Sequence, residues 1–113
     1  MHELSLSVSL IEQATEILKQ ESGGRVLALT LDVGVLSGVS PEALQFCFPQ
    51  AAHGTALEKC LLKINEIPLL VYCSDCQAEE QVEGPYPLCP SCQGVDVAVR
   101  KGREFNIVSM EIE

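Results

Sequence analysis

Two Cys-x-x-Cys pairs, Cys73 with Cys76 and Cys89 with Cys92, are separated by twelve residues, a spacing at which four thiols can close on one ion. A two-residue gap lets both sulfurs of a knuckle reach the same metal. Two knuckles then give a tetrahedral four-thiolate shell with no open position for water or substrate, which points to a structural Zn(II). In the knuckle Cys89-Pro90-Ser91-Cys92 the proline presets φ for a tight turn, and Gly94 just beyond it is expected to support a sharp reversal. The competing reading is a pair of redox motifs or disulfides. Nothing marks the chain as secreted and no βαβ pattern surrounds either motif, both of which that chemistry would call for.

The length of 113 residues fits one small domain carrying a smaller module. The first residues include the acid Glu3 and no basic run, and no apolar stretch approaches the roughly 20 residues of a membrane span, so the expectation is a cytoplasmic protein without a membrane span. Six cysteines suit a reducing compartment when four of them hold metal. The formal charge is −9; four thiolates around Zn(II) add two further negative charges and bring it to about −11. Such a chain repels phosphate backbones. With seven basic residues and no tryptophan, nucleic-acid binding, the usual work of zinc ribbons, is not expected. The acidity suits cations or a basic protein partner, although much of it serves solubility.

Hydrophobic periodicity places the remaining elements. Leu4, Val8, Ile11, Ala14 or Thr15, and Leu18 recur at helical spacing until Gly23 and Gly24, which predicts a helix starting almost at the first residue. Over 25–34 the period becomes two, with Leu27, Leu29, Leu31 and Val33 on one face of a strand. Ser40-Pro41-Glu42 reads as an N-cap, a proline at the first helical position and a first-turn acid, opening a helix from 41 to 51 or 52 that Pro49 should kink or shorten. Alternation returns over 57–66, with Cys60, Leu62 and Ile64 together, and over 104–112, with Val108, Met110 and Ile112 together. The fold class is therefore α+β: a small three-stranded sheet with two helices, interrupted by a four-cysteine zinc-ribbon module. Residues 1–68 and 103–113 form the α+β domain and 69–102 the module. At about 34 residues the module is below the roughly 40 at which a domain holds together without staples, so the metal should supply its folding free energy.

The opening Met1-His2-Glu3 offers a second site. Histidine at position 2 lets the terminal amine, the His2 amide nitrogen and the imidazole Nδ1 chelate one ion in fused rings. Planar nitrogen donors suit Cu(II) or Ni(II) better than zinc. The first amides of a helix lack intrahelical acceptors, so no helical bond is lost on metallation. The positive end of the helix dipole opposes a dication by about 0.3–1 kcal/mol, which the Glu3 carboxylate offsets. The plain alternative is an exposed terminal histidine beside an acid that favours the helix dipole. His53, ahead of Gly54-Thr55, could be a further donor, but a turn histidine bonded to backbone is the simpler reading. Cys47 and Cys60 read as small buried hydrophobes. No Ser-His-Asp set or phosphate-binding glycine loop occurs, and the chain is not expected to be an enzyme.

The opening Met1-His2-Glu3-Leu4-Ser5, the stretch Gly34-Val35-Leu36-Ser37-Gly38-Val39 followed by Pro41-Glu42-Ala43-Leu44-Gln45-Phe46, the Gly54-Thr55 turn and the two cysteine knuckles together resemble the HypA/HybF family, the nickel-handling accessory proteins of [NiFe]-hydrogenase maturation. The similarity runs in order along essentially the whole chain. It implies a nickel metallochaperone: a transported Ni(II) at Met1, His2 and Glu3, and a structural Zn(II) on Cys73, Cys76, Cys89 and Cys92. It also implies a maturation GTPase as partner, the hydrogenase large subunit or its precursor as recipient, and urease maturation proteins as further candidates. Selection of nickel over copper would then come from delivery and availability, because copper wins at almost any nitrogen site.

Overall fold

The computed structural model describes residues 2–113. Helix α1 (Glu3–Gln20) leads into strand β1 (Val26–Gly34), helix α2 (Pro41–Ala52) and strand β2 (Leu61–Ile67). Strands β3 (Leu69–Cys73), β4 (Ala78–Val82) and β5 (Val97–Lys101) follow, and β6 (Phe105–Ile112) closes the chain. The strands form two three-stranded sheets, ordered β2-β1-β6 and β4-β3-β5. In the first, β1 lies in the centre, parallel to β2 and antiparallel to β6. The sheets lie along a molecule 52 Å long and 27 Å wide. Two helices, a three-stranded sheet and an inserted four-cysteine unit are the fold class expected from sequence.

The main core joins Leu10, Ala14 and Leu18 of α1 and Leu44 and Phe48 of α2 to Leu29 and Leu31 of the central strand. The buried stripe of α1 is Glu3, Ser7, Leu10, Ile11, Ala14 and Leu18. It is rotated from the predicted one: Leu4 and Val8 are 51% and 45% exposed. Close contact with α2 favours small side chains, and the two polar residues drawn inward are bonded there, the Ser7 hydroxyl donating to the Glu3 carbonyl at 2.7 Å. The helix also stops differently. Ser22, not a glycine, takes the left-handed conformation with φ 57°, and the amides of Ser22 and Gly23 donate back to the carbonyls of Lys19 and Leu18, a Schellman closure. Gly23 is required by proximity, since a Cβ there would fall 2.4 Å from the Ile112 side chain.

Two bulges break the predicted strand alternation. In β1, Val26 pairs with Ile112 and Ala28 with Glu111, leaving Leu27 as the extra residue; in β6, Ser109 pairs with Thr30 and Ile107 with Leu31, leaving Val108 as the extra one. A bulge inserts one residue and reverses the phase of those beyond it. Both inserted residues are accordingly exposed. Helix α2 opens on Ser40, whose hydroxyl accepts from the Ala43 amide at 3.2 Å, and it runs through Pro49 to Ala52, the end expected from sequence. Pro49 stands on the exposed face, where water can satisfy the Gln45 carbonyl that its missing N–H abandons. Strand β2 begins later than its alternation suggested, because the chain turns at Lys59, whose φ is 66°.

The second sheet has a small core of Leu69, Val71 and Val82, joined by Leu36 from the β1–α2 loop. Only Pro68 separates β2 from β3, and residues 102–104 separate β5 from β6. The β1–α2 loop pins both connections: the Val35 amide donates to the Ile67 carbonyl at 3.0 Å and the Leu36 amide to the Gly102 carbonyl at 2.6 Å. Gly34 and Gly102 cross so closely that a Cβ on Gly34 would lie 2.2 Å from the Gly102 carbonyl carbon.

Candidate metal sites

Cys73 ends β3, and residues 74–77 form the hairpin into β4. The second knuckle, Cys89 to Cys92, lies in the long connection before β5. Each turn relies on a non-glycine residue in the left-handed region immediately after its second cysteine, Gln77 with φ 53° and Gln93 with φ 62°. Gly94 is therefore not the turning residue. A Cβ there would fit closely, 3.2 Å from the Cys92 sulfur and 3.5 Å from an Asp75 carboxylate oxygen. The reversal is also fixed by the Gln93 amide, which donates to the Cys89 carbonyl at 2.7 Å, and by the Cys89 amide, which donates to the Gly94 carbonyl at 3.0 Å.

These turns bring all four sulfurs within 4.8 Å of one another. Cys73 and Cys92 are 3.7 Å apart and Cys76 and Cys89 3.8 Å. Neither distance is a disulfide, whose sulfurs lie about 2.05 Å apart. Both match the edge of a tetrahedron with metal–sulfur bonds of about 2.3 Å, roughly 3.8 Å. Backbone amides, first that of Cys92, draw the Cys89 thiol down to about 7. Hydrogen bonds with Cys92, then Cys89 and Cys73, push Cys76 up to about 12. Cys73 and Cys89 are buried and Cys76 and Cys92 exposed, so a metal here would be screened on one side and reachable from the other.

At the other end, Met1 lies outside the described residues. His2 is exposed and takes the N-cap position of α1 without a capping bond from its side chain. The first i→i−4 bond runs from the Leu6 amide to the His2 carbonyl, so the His2 and Glu3 amides precede the helical ladder. Glu3 turns inward, and its carboxylate accepts from the Ser40 amide at 3.1 Å. Hydrogen bonding, that from the Ser40 amide included, draws the Glu3 carboxyl down to about 2. The starts of α1 and α2 therefore meet at a carboxylate that offsets the positive ends of both helices. Sequence reading identified Ser40 as an N-cap but not as Glu3's partner, because the contact spans 37 positions and leaves no local pattern.

The other candidates separate from these sites. His53 lies beyond the last residue of α2, roughly 18 Å along a twelve-residue helix from the Ser40 end at about 1.5 Å per residue, too far to share an ion with His2 in one chain. Its Nδ1 faces Glu58 at 2.9 Å with the ring 82% exposed, rather than bonding backbone as expected. Cys47 and Cys60 are half-buried. Cys60 packs against the main core, and burial pushes its thiol up.

The family model described as hydrogenase/urease nickel incorporation metallochaperone HypA matches residues 1–112. The chain belongs to the HypA family. Among curated HypA-family relatives, the hydrogenase maturation factor HypA of Geotalea uraniireducens is 40% identical over 114 residues, covering the whole of both chains. That of Chlorobium limicola is 38% identical over 113 residues, covering all of this chain and 97% of the relative. The solution structure of the Ni metallochaperone HypA from Helicobacter pylori superposes with a TM-score of 0.69 at 22% identity, over 99% of this chain and 97% of that one; this likeness concerns the fold. HypA is a metallochaperone family and not an enzyme family. Membership gives the chain a role in the maturation machinery, and among the described residues the four-cysteine cluster is a group that could hold a metal ion. Among the described residues no helix is long and apolar enough to cross a membrane.

Proposed function

We propose that this chain carries Ni(II) at its amino terminus and delivers it for maturation of [NiFe]-hydrogenase. The donors in this reading are the terminal amine of Met1 and the His2 amide and imidazole, with Glu3 beside them. Cys73, Cys76, Cys89 and Cys92 hold a structural Zn(II). The observation that carries the reading is family membership over residues 1–112. It is supported by an exposed His2 uncommitted to helix capping and by amides that precede the helical ladder. Zinc is supported by sulfur spacings of 3.7 and 3.8 Å. When bound, it fills its shell with sulfur and supplies folding free energy rather than reactivity. Residues 1–68 and 103–113 act as the nickel-binding domain and 69–102 as the zinc module. A maturation GTPase, the hydrogenase large subunit or its precursor, and urease maturation proteins are the partners in this reading, and the cytoplasm is where it works.

Cargo must leave as well as bind. A terminus with nitrogen donors on an exposed residue lets an acceptor replace ligands one at a time, whereas a shell filled by four sulfurs leaves no open position for an incoming ligand. The test is a nickel titration of zinc-loaded protein with its native Met1, run beside protein carrying two extra residues ahead of Met1. Loss of a one-equivalent, planar-type nickel spectrum in the extended protein, at unchanged zinc content, is the expected result. Identical titrations would remove the amino-terminal chelate and leave an adaptor held together by its metal cluster.

A further inference from the structure

The groove where the two sheets meet, about 450 Å³, has walls from both: Val33, Val39 and Ile67 on one side, Leu69 and Val82 on the other. Neither half of the chain makes it alone. Two carboxylates, Glu66 and Glu83, stand at its margin, both exposed, and among the described residues neither pairs with a cation. The ends of β2 and β4 reach the groove, and both are outer strands, in the orders β2-β1-β6 and β4-β3-β5. An outer strand presents backbone donors and acceptors to an incoming extended segment. Farther along β2 the Leu62 carbonyl is already covered by the Gln45 side-chain amide at 2.9 Å.

We propose that this groove is the docking site for an extended segment of a partner protein in which apolar and basic residues alternate. Side chains of an added strand point alternately to opposite sides, so apolar ones enter the pocket while basic ones meet Glu66 and Glu83. The net charge of −9 steers such a segment in and repels an acidic one. Because the walls belong to both sheets, the bound segment holds their relative orientation. The proposal extends beyond nickel carriage and does not depend on where nickel binds.

The probe is a capped peptide of about eight residues alternating lysine and valine, titrated into the full zinc-loaded chain and followed by backbone amide NMR. The expected result is saturable binding with shifts at Val39, Ile67 and Val82. Binding should weaken at least tenfold in the Glu66→Lys, Glu83→Lys double variant and between about 50 mM and 500 mM salt, and a glutamate–valine peptide should not bind. Both substituted positions are exposed, and an unchanged amide spectrum away from the groove verifies that the variant folds. No saturation by about 1 mM, shifts confined to the helices, or equal binding by the double variant would overturn the proposal. So would concentration-dependent self-association of the protein alone through these residues, which would make a second copy the occupant. Nickel titration of the same variant keeps the two readings apart, since its outcome should not change.

Discussion

Ser22 holds a left-handed conformation, φ 57°, at the position that ends α1, where side chains other than glycine pay roughly 1–2 kcal/mol for the crowding of Cβ against the backbone. Ser22→Gly should therefore raise stability by about 1 kcal/mol after the larger entropy loss of glycine is subtracted, measured as a higher midpoint in urea with an unchanged slope. Gly23 next to it should not tolerate the reverse change, because Ile112 fills the space its Cβ would need. From the sequence, Gly23 and Gly24 looked like the helix stop. Composition identifies a turn, while which residue turns is settled by what packs beside each one. The same holds at Gly94, where the left-handed work falls to Gln93 and the glycine lies close beside the Cys92 sulfur.

At the scale of elements, α2 and the four-cysteine knuckles were legible because their signals are local. Ser40-Pro41-Glu42 caps, starts and charges one helical turn, and a Cys-x-x-Cys pair needs only two intervening residues to aim both sulfurs. The faces of α1, β1 and β6 were less legible. Leu27 and Val108 keep the apolar period of their strands yet stand outside, since each is the inserted residue of a bulge. The sheet β4-β3-β5 has a buried core of only Leu69, Val71 and Val82 with partly buried neighbours. So small a core does little to offset the backbone entropy of ordering the segment. Chelating the proposed Zn(II) should thus release β3, β4 and β5 first. Hydrogen exchange should show amides of Val71 and Val99 losing protection while those of Leu29 and Leu31 keep it; simultaneous loss would mean that the first sheet depends on the cluster too.

For the whole molecule, the junction carries the constraint. The β1–α2 loop sends Leu36 into the second core, donates to the Ile67 and Gly102 carbonyls, and ends at Ser40, which holds Glu3. All of this requires backbones to touch at Gly34 and Gly102. Gly34→Ala puts a methyl 2.2 Å from a carbonyl carbon, with no flexible side chain to yield, and should cost at least about 3 kcal/mol, the upper range of overpacking. The check is thermal unfolding together with the Leu36 amide resonance, which should move if the junction opens. The α+β class and the four-cysteine cluster were legible in the sequence alone, because each rests on residues a few positions apart and on chemistry that travels with residue type; the amino-terminal chelate stands as a proposal drawn from it. Only the tertiary structure decided which face of α1 is buried, that Glu3 meets Ser40, that His53 is remote from His2, and that a groove opens between the sheets. Those facts depend on contacts between distant segments, whose energy comes from packing and desolvation and leaves no periodic trace along the chain.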